Sequence, residues 1–350
     1  MVHERSLSWT ISFLPVTDER WLAYLSGNPL ANIFHHPAWS QLLAECYGFR
    51  PFICVTCDTD GNILAGLPVM KIQNWLTGRR WVSLPFTDHC IPLYEDSSAL
   101  YRLIDGLLNH ARVQGIRNVE FRGKFLPHPN IQQSRQYAWH TLRLEEDFAK
   151  VARRIHTMHQ RNAKTSLRRG VHVTWGKSTE DLKAFYQLHL EERHQQGVPV
   201  QPWQFFALIG KFLFSAGLGS ILFAYKDEKI IAALLLLNYG QILTYKYGAS
   251  DKASLSLRPN DLLFWTAIQW GCENGFKLFD MGRTDLDNPG LRRFKKGWGA
   301  DEMPLNYFTI SRTTRQPVPG NLMKIVKPII QRSPQWVCQF AGELLYKYFG

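Results

Sequence analysis

The stretch RPNDLLFWTAIQWGCENGFKLFDMGRTDLDNPGLRRFKKGWG, residues 258–299, sets the expectations for the rest of the chain. Leu262, Leu263, Trp265, Ala267, Ile268 and Trp270 recur as on one face of a helix packed on a sheet, and Asn274-Gly275 supplies its stop. Residues 276–279, Phe-Lys-Leu-Phe, are short and apolar enough for a buried strand. Asp280 and Arg283 then fall just past the expected strand end, where open α/β sheets place ligands. A loop rich in Gly and Asp comes next. It ends in an aromatic–basic cluster of Arg292, Arg293, Phe294, Lys295, Lys296 and Trp298.

Working outward, the same order of elements occurs twice. In the second half, strand-like runs at 220–225 and 230–238 flank a charged turn, and a strand at 242–247 precedes the helix just described. In the first half, runs at 52–57 and 63–72 flank an Asp-Gly turn. A strand at 80–84, the loop Pro85-Phe86-Thr87-Asp88-His89-Cys90, a helix at 97–114 stopped by Gly115, and a strand at 118–121 come after it. Asp60 corresponds to Asp227 and Gly115 to Gly275, at nearly the same offset. Two diverged copies of one α/β unit explain this order. Between them, 149–169 reads as one strongly basic helix ended by Gly170, and Ser178 to Asp181 caps a helix at 179–196. Residues 321–349 are amphipathic; packing on the core is the first expectation, a second subunit or a membrane surface the alternatives. The expected boundaries are 1–148, 149–315 and 316–350.

The 350 residues carry 41 Lys+Arg against 29 Asp+Glu, and this surplus of +12 favours an anionic partner. Six cysteines show no framework spacing, and the opening MVHERSLSW lacks an apolar core segment, so a cytoplasmic protein with reduced thiols is expected. Cys54 and Cys57 form a lone C-x-x-C inside a strand-like run, which reads as buried thiols. The apolar stretch 203–225 is interrupted by Gly217-Leu218-Gly219-Ser220, so it reads as helix then strand, not a membrane span. There is no Walker motif, no G-x-G-x-x-G, no G-x-S-x-G and no H-E-x-x-H. His156 and His159 lie among Arg and Lys, where a dication would be repelled; they read as a solvated face, and His189 as a surface residue.

The pieces HHPAW (35–39), LPFTDHC (84–90), RNAKTSLRRGV (161–171), YGASD (247–251), RPNDLLFW (258–265), FDMGRT (279–284) and GLRRFKKGWG (290–299) resemble the Fem-type branch of the GNAT acyltransferase superfamily. Within it the chain looks most like the Fem-like proteins of exopolysaccharide and exosortase systems. The resemblance covers residues 30 to 310. It implies an α/β (α+β) fold of two tandem GNAT-like domains, each a mixed, mostly antiparallel sheet flanked by helices. It further implies N-acyl transfer of an aminoacyl or acyl group to an amine of a peptidoglycan, exopolysaccharide or other cell-envelope precursor. The donor would be aminoacyl-tRNA or acyl-CoA, used as co-substrate, with no permanently bound cofactor, no metal and no DNA partner.

Carried over by position, Phe294-Lys295 matches the family's Phe-Lys pair, whose lysine faces the transferred acyl group and stabilises the oxyanion. Arg258, Asn260 and Arg283 suit anionic parts of donor or acceptor. Trp298, His89, Arg161, Asn162 and Lys164 complete the expected binding set, and Asp280 and Asp88 are the candidate general bases. Two features depart from the family. The helix entry Leu257-Arg258-Pro259-Asn260-Asp261 lacks the glycines of an acetyl-CoA pyrophosphate loop. Ser40-Gln41 follows Trp39, where ligases for nucleotide-linked muropeptides carry a phosphate-holding lysine. The alternatives are an acyl-CoA-dependent N-acetyltransferase and a non-catalytic basic protein that binds RNA or the envelope, with peripheral contact at the inner face of the membrane.

Overall fold

The computed structural model describes residues 9–74, 78–123, 128–310 and 320–349. Most of the N-terminal stretch considered for targeting, and residues 311–319, lie outside these. The chain forms two compact units. One holds the chain up to Gln136 together with a return segment starting at Leu305; the other holds Tyr137–Pro304 with the C-terminal helices.

In chain order the first half contributes β1 (Thr10–Leu14), α1 (Glu19–Ser26), α2 (Pro37–Tyr47), β2 (Arg50–Cys57), β3 (Ile63–Asn74), β4 (Gly78–Val82), β5 (Leu93–Tyr94), α3 (Ser97–Val113) and β6 (Val119–Arg122). Then come β7 (Gln132–Arg143), α4 (Phe148–Arg154), α5 (Thr157–Arg168), β8 (Val171–Gly176), α6 (Thr179–Gln196), α7 (Trp203–Ile209), β9 (Gly219–Lys226), β10 (Lys229–Tyr239) and β11 (Ile242–Ser250). The chain closes with α8 (Pro259–Glu273), β12 (Leu278–Thr284), α9 (Pro289–Gly297), β13 (Asp301–Thr309), α10 (Gly320–Arg332) and α11 (Gln335–Phe349). Local chemistry accounts for many of these boundaries. Asp58 closes the β2–β3 turn by accepting the amides of Asp60 and Asn62. Ser178 and Asp181 form a reciprocal cap on α6. Gly115 and Gly275, both at positive φ, follow α3 and α8.

Within the first unit, β1, β2, β3 and β4 are successive antiparallel neighbours, and β6 lies parallel to β4 after the α3 crossover. Within the second, β8, β9, β10 and β11 are successive antiparallel neighbours, and β12 lies parallel to β11 after α8. The expected pair of mostly antiparallel α/β units is therefore present. Each sheet gains one more antiparallel strand, and the two are exchanged in sequence. β7 follows β6 in the chain but pairs with β12, while the end of β13 follows β12 but pairs with β6.

Four local expectations are corrected. The basic helix is two helices, because Ile155 is extended and buried in the core, and the His156 side chain restarts the helix by accepting the Met158 amide. Asp280 to Arg283 lie inside β12, held there by β7, and Gly248 to Ser250 lie inside β11, held by β10. The aromatic–basic cluster forms α9, started by Pro289 and capped by Asn288. His159 and His189 are buried. The C-terminal helices pack on α6: Gln331 donates to the Gln195 carbonyl, His194 meets the Ser333 carbonyl, and Tyr346 donates to Pro199. No helix among the described residues is long and apolar enough to cross a membrane.

Candidate functional site

The second sheet opens at one point. β11 and β12 pair in parallel only at Ile242↔Leu278, Leu243↔Phe279 and Thr244↔Asp280. Beyond that, β11 stays with β10 out to Ser250, while β12 stays with β7 through Arg283↔Trp139 and Thr284↔Ala138. The carboxyl ends of two parting parallel strands are the usual ligand position in such sheets.

A bulge shapes the β12 side of this opening. The register shifts between Asp280 and Arg283, and Gly282 adopts φ +70°. Asp280, 1% exposed, accepts the Gly282 amide and the Trp139 indole N–H, each at 2.8 Å, through Oδ1. Lys295 reaches the same bulge from α9. It is 3% exposed, and its Nζ donates to the Gly282 carbonyl at 3.0 Å and the Arg283 carbonyl at 3.1 Å. A buried carboxylate thus holds the amide of the bulge and a buried ammonium its carbonyls. The Arg283 guanidinium lies 4.3 Å from the Tyr137 ring centre.

The other cations of α9 have separate partners. Glu302 on β13 accepts two bonds from Arg292, at 2.9 and 2.8 Å, and pairs with Lys296 at 3.1 Å and His140 at 3.0 Å. The Arg292 bonds, with Lys296, hold the Glu302 carboxyl down at about 2. Burial pushes His140 below the ordinary imidazole range, and the Lys295 charge adds to that. Of the basic run, Lys295 is the member buried against the opening.

Helix α8 enters beside the end of β11. Arg258 occupies its cap at φ +62°, exposed, and Asn260 is tied by its amide to Ser250 Oγ at 3.0 Å. Asp261 in the first turn accepts from His159 at 2.6 Å and from the Asn162 amide at 3.1 Å, binding α5 to α8. The His159 ring stacks on Trp298, centroids 4.6 Å apart, and meets Phe294 edge-on at 5.3 Å. A Cβ at Gly297 would fall 2.4 Å from His159 Nε2, so only glycine fits between Lys296 and Trp298. Arg161 and Lys164 point outward on the same α5. The structure therefore gathers Asn162, Phe294 and Trp298 around the α5–α8–α9 contact, sets Arg258 and Asn260 at the α8 entry, and brings Asp280, Arg283 and Lys295 to the bulge. Asp88 and His89 belong to the first unit, where Tyr307 donates to the Asp88 carbonyl at 2.7 Å and Phe34 meets the His89 ring. Sequence reasoning missed Asp261 and His140, whose partners lie far away in the chain, and Glu302, which joins His140 to the nearby Arg292.

Residues 151–296, within the second unit, are similar to the acetyltransferase (GNAT) domain family. The chain also has partial likeness to a Fem-type transferase and shares its fold with two solved structures. The chain is 25% identical over 125 residues to UDP-N-acetylmuramoylpentapeptide-lysine N(6)-alanyltransferase of Weissella viridescens. That match takes in 36% of this chain and 37% of the relative, so it spans little more than a third of the relative's length. The crystal structure of FemX superposes with a TM-score of 0.68 at 14% identity, covering 90% of this chain and all of FemX. A tandem GNAT protein from the clavulanic acid biosynthesis pathway gives a TM-score of 0.55 at 12% identity, covering 86% of this chain and 98% of its own. These two structures share the fold.

Proposed function

We propose that the protein is an N-acyltransferase that moves an acyl or aminoacyl group onto an amine of a cell-envelope precursor, peptidoglycan or exopolysaccharide. The observation that carries this reading is the β11–β12 opening, with the buried Lys295 ammonium fixed at its bulged edge. In acyl transfer an amine attacks the donor carbonyl, and negative charge develops on the carbonyl oxygen before the leaving group departs. A cation immobilised in a water-poor site acts on that charge more strongly than one in solvent. In this reading Lys295 supplies the charge and Phe294 and Trp298 hold its helix in place. Asp280 shapes the bulge rather than serving as base, because Oδ1 already accepts two N–H groups.

The donor is anionic in this reading, an aminoacyl-tRNA or an acyl-CoA. Arg258 at the α8 entry and Arg161 and Lys164 on the adjoining α5 are exposed cations suited to phosphates. Pro259 withholds one amide there, which favours recognition by side chains over a backbone phosphate loop. The test is turnover of charged tRNA or acyl-CoA by purified protein. Lys295→Met should slow it by about 10²–10³-fold with donor binding retained; unchanged turnover refutes the assignment.

A peripheral membrane contact is part of the proposal. On α11, Trp336, Phe340 and Leu344 are exposed at successive helical turns, with Lys347 nearby. Trp336→Ser with Phe340→Ser should abolish co-flotation with anionic vesicles and leave stability within about 0.5 kcal/mol; retained flotation removes this element.

A further inference from the structure

Among the described residues, the first unit buries a guanidinium to which no anion is hydrogen-bonded. Arg80, on β4, is 4% exposed, and its Nε and Nη2 have no hydrogen-bond partner among the described residues. A buried polar group left unpaired costs about 1–3 kcal/mol, and a charged one more. Such a residue persists where something absent from the free chain completes it.

The surroundings say what that is. The charged groups acting on Arg80 are Glu120 and Arg122 on β6 and Arg135 at the start of β7. Glu120 does not neutralise Arg80, because its Oε1 accepts Arg122 Nε at 2.7 Å. Burial pushes Arg80 down to about 10, with Arg122 and Arg135 adding to that against Glu120. Burial also works against ionisation of Glu120, yet the three arginines outweigh it and hold its carboxyl below the usual range. Arg122 is itself fixed in place. Its Nη1 donates to the Thr87 carbonyl at 3.4 Å, and its guanidinium lies 5.3 Å from the Tyr307 ring centre. Arg122 is bonded to Glu120, and Arg80 and Arg135 are close enough to act on the same carboxylate, a local surplus of two positive charges.

We infer that Arg80, Arg122 and Arg135 form a phosphate-binding site in the first unit. A carboxylate would leave one charge uncompensated, whereas a phosphate group carries about −1.5 to −2 at neutral pH. Arginine forks fit its oxygens in pairs. This site lies in the copy that lacks the β11–β12 opening, and it does not depend on acyl transfer.

The test is binding of inorganic phosphate and pyrophosphate to the full chain, by calorimetry and by the shift in Tm. Both ions should raise Tm, while chloride and acetate at matched ionic strength should not. Arg135→Ala, at an exposed position, should weaken phosphate by about tenfold. Arg80→Met is the decisive variant. An arginine awaiting an anion is a cost in the free protein, so this variant should match or exceed wild-type Tm without phosphate and lose the phosphate response. A lower Tm without phosphate would mark Arg80 as structural and overturn the site. So would an equal response to chloride, or wild-type phosphate binding in both variants. Lys295→Met should bind phosphate normally, which separates failure here from failure of the transferase reading. A nucleoside diphosphate and vesicles of a phosphate-bearing lipid, tried in parallel, assign the source of the group.

Discussion

In the first unit β4 stops at Val82, and the chain doubles back through Leu84 and Phe86, both at positive φ, until Cys90 bridges to Arg122 on β6. In the second, β11 runs on to Ser250 and parts from β12, whose bulge is held by Asp280 and Lys295. The strand order is the same. The two copies diverge just after the fourth strand: one has a strained loop bonded back to the sheet, the other an opening. Ser83 reinforces the closed copy, its hydroxyl accepting the Arg122 amide and its own amide donating to Glu120.

The largest effect expected from breaking this contrast is at Leu84. Its left-handed backbone costs about 1–2 kcal/mol, which glycine would relieve. Its side chain is fully buried, however, and deleting a buried leucine costs about 2–5 kcal/mol. Burial outweighs strain, so Leu84→Gly should lower stability by about 2 kcal/mol in urea unfolding. A neutral result would mean the loop does not hold the first unit closed.

An effect of similar size belongs to α6 in the open copy. Burial pushes Glu192 up to about 7, whereas the unfolded chain titrates near 4.5. The native state therefore binds the proton more tightly. The associated stability is fully present below about 4.5 and is lost as pH rises through 7. Glu192→Gln should then raise stability at pH 8 by about 2 kcal/mol and leave it unchanged at about pH 4.5. His189, one turn away and pushed down to about 3 by burial, has the opposite slope below 6.5; taking the difference between variant and wild type cancels it. Equal gains at both pH values would show that desolvation of Glu192 is not the cause.

The range of each interaction decided whether the sequence revealed it. Local signals carried far: Asp58 at its hairpin, His36-Pro37 at α2, Ser178 with Asp181 at α6, and Gly115 with Gly275 after equivalent helices. Those signals, in one repeated order, made the duplication legible. Partners set by tertiary packing left no trace. His159 read as solvated because its neighbours in sequence are basic, yet its partner Asp261 is 102 residues away. Asp280 and Arg283 read as a strand end because the apolar run stops at Phe279. The strand continues because β7 supplies a neighbour and a bulge absorbs the polar residues. The excess arginine of the first unit was also invisible, since Arg80, Glu120 and Arg135 sit on three separate strands.

The smallest effect lies at Arg258, the open copy's counterpart of Leu84: a non-glycine residue at φ +62° in the connection from the fourth strand to the helix. Its side chain is exposed and makes no hydrogen bond or ion pair among the described residues, so no packing offsets the strain. Glycine would recover the left-handed cost of about 1–2 kcal/mol but also loosen the unfolded chain by about 0.4–1 kcal/mol. Arg258→Gly should therefore raise stability by up to about 1 kcal/mol, the reverse of Leu84→Gly. If the arginine is kept for an anionic donor, the same variant should weaken donor binding and flatten its salt dependence. A more stable protein with unchanged donor affinity would mean that the strained arginine does not touch the donor, and recognition would then have to come from α5.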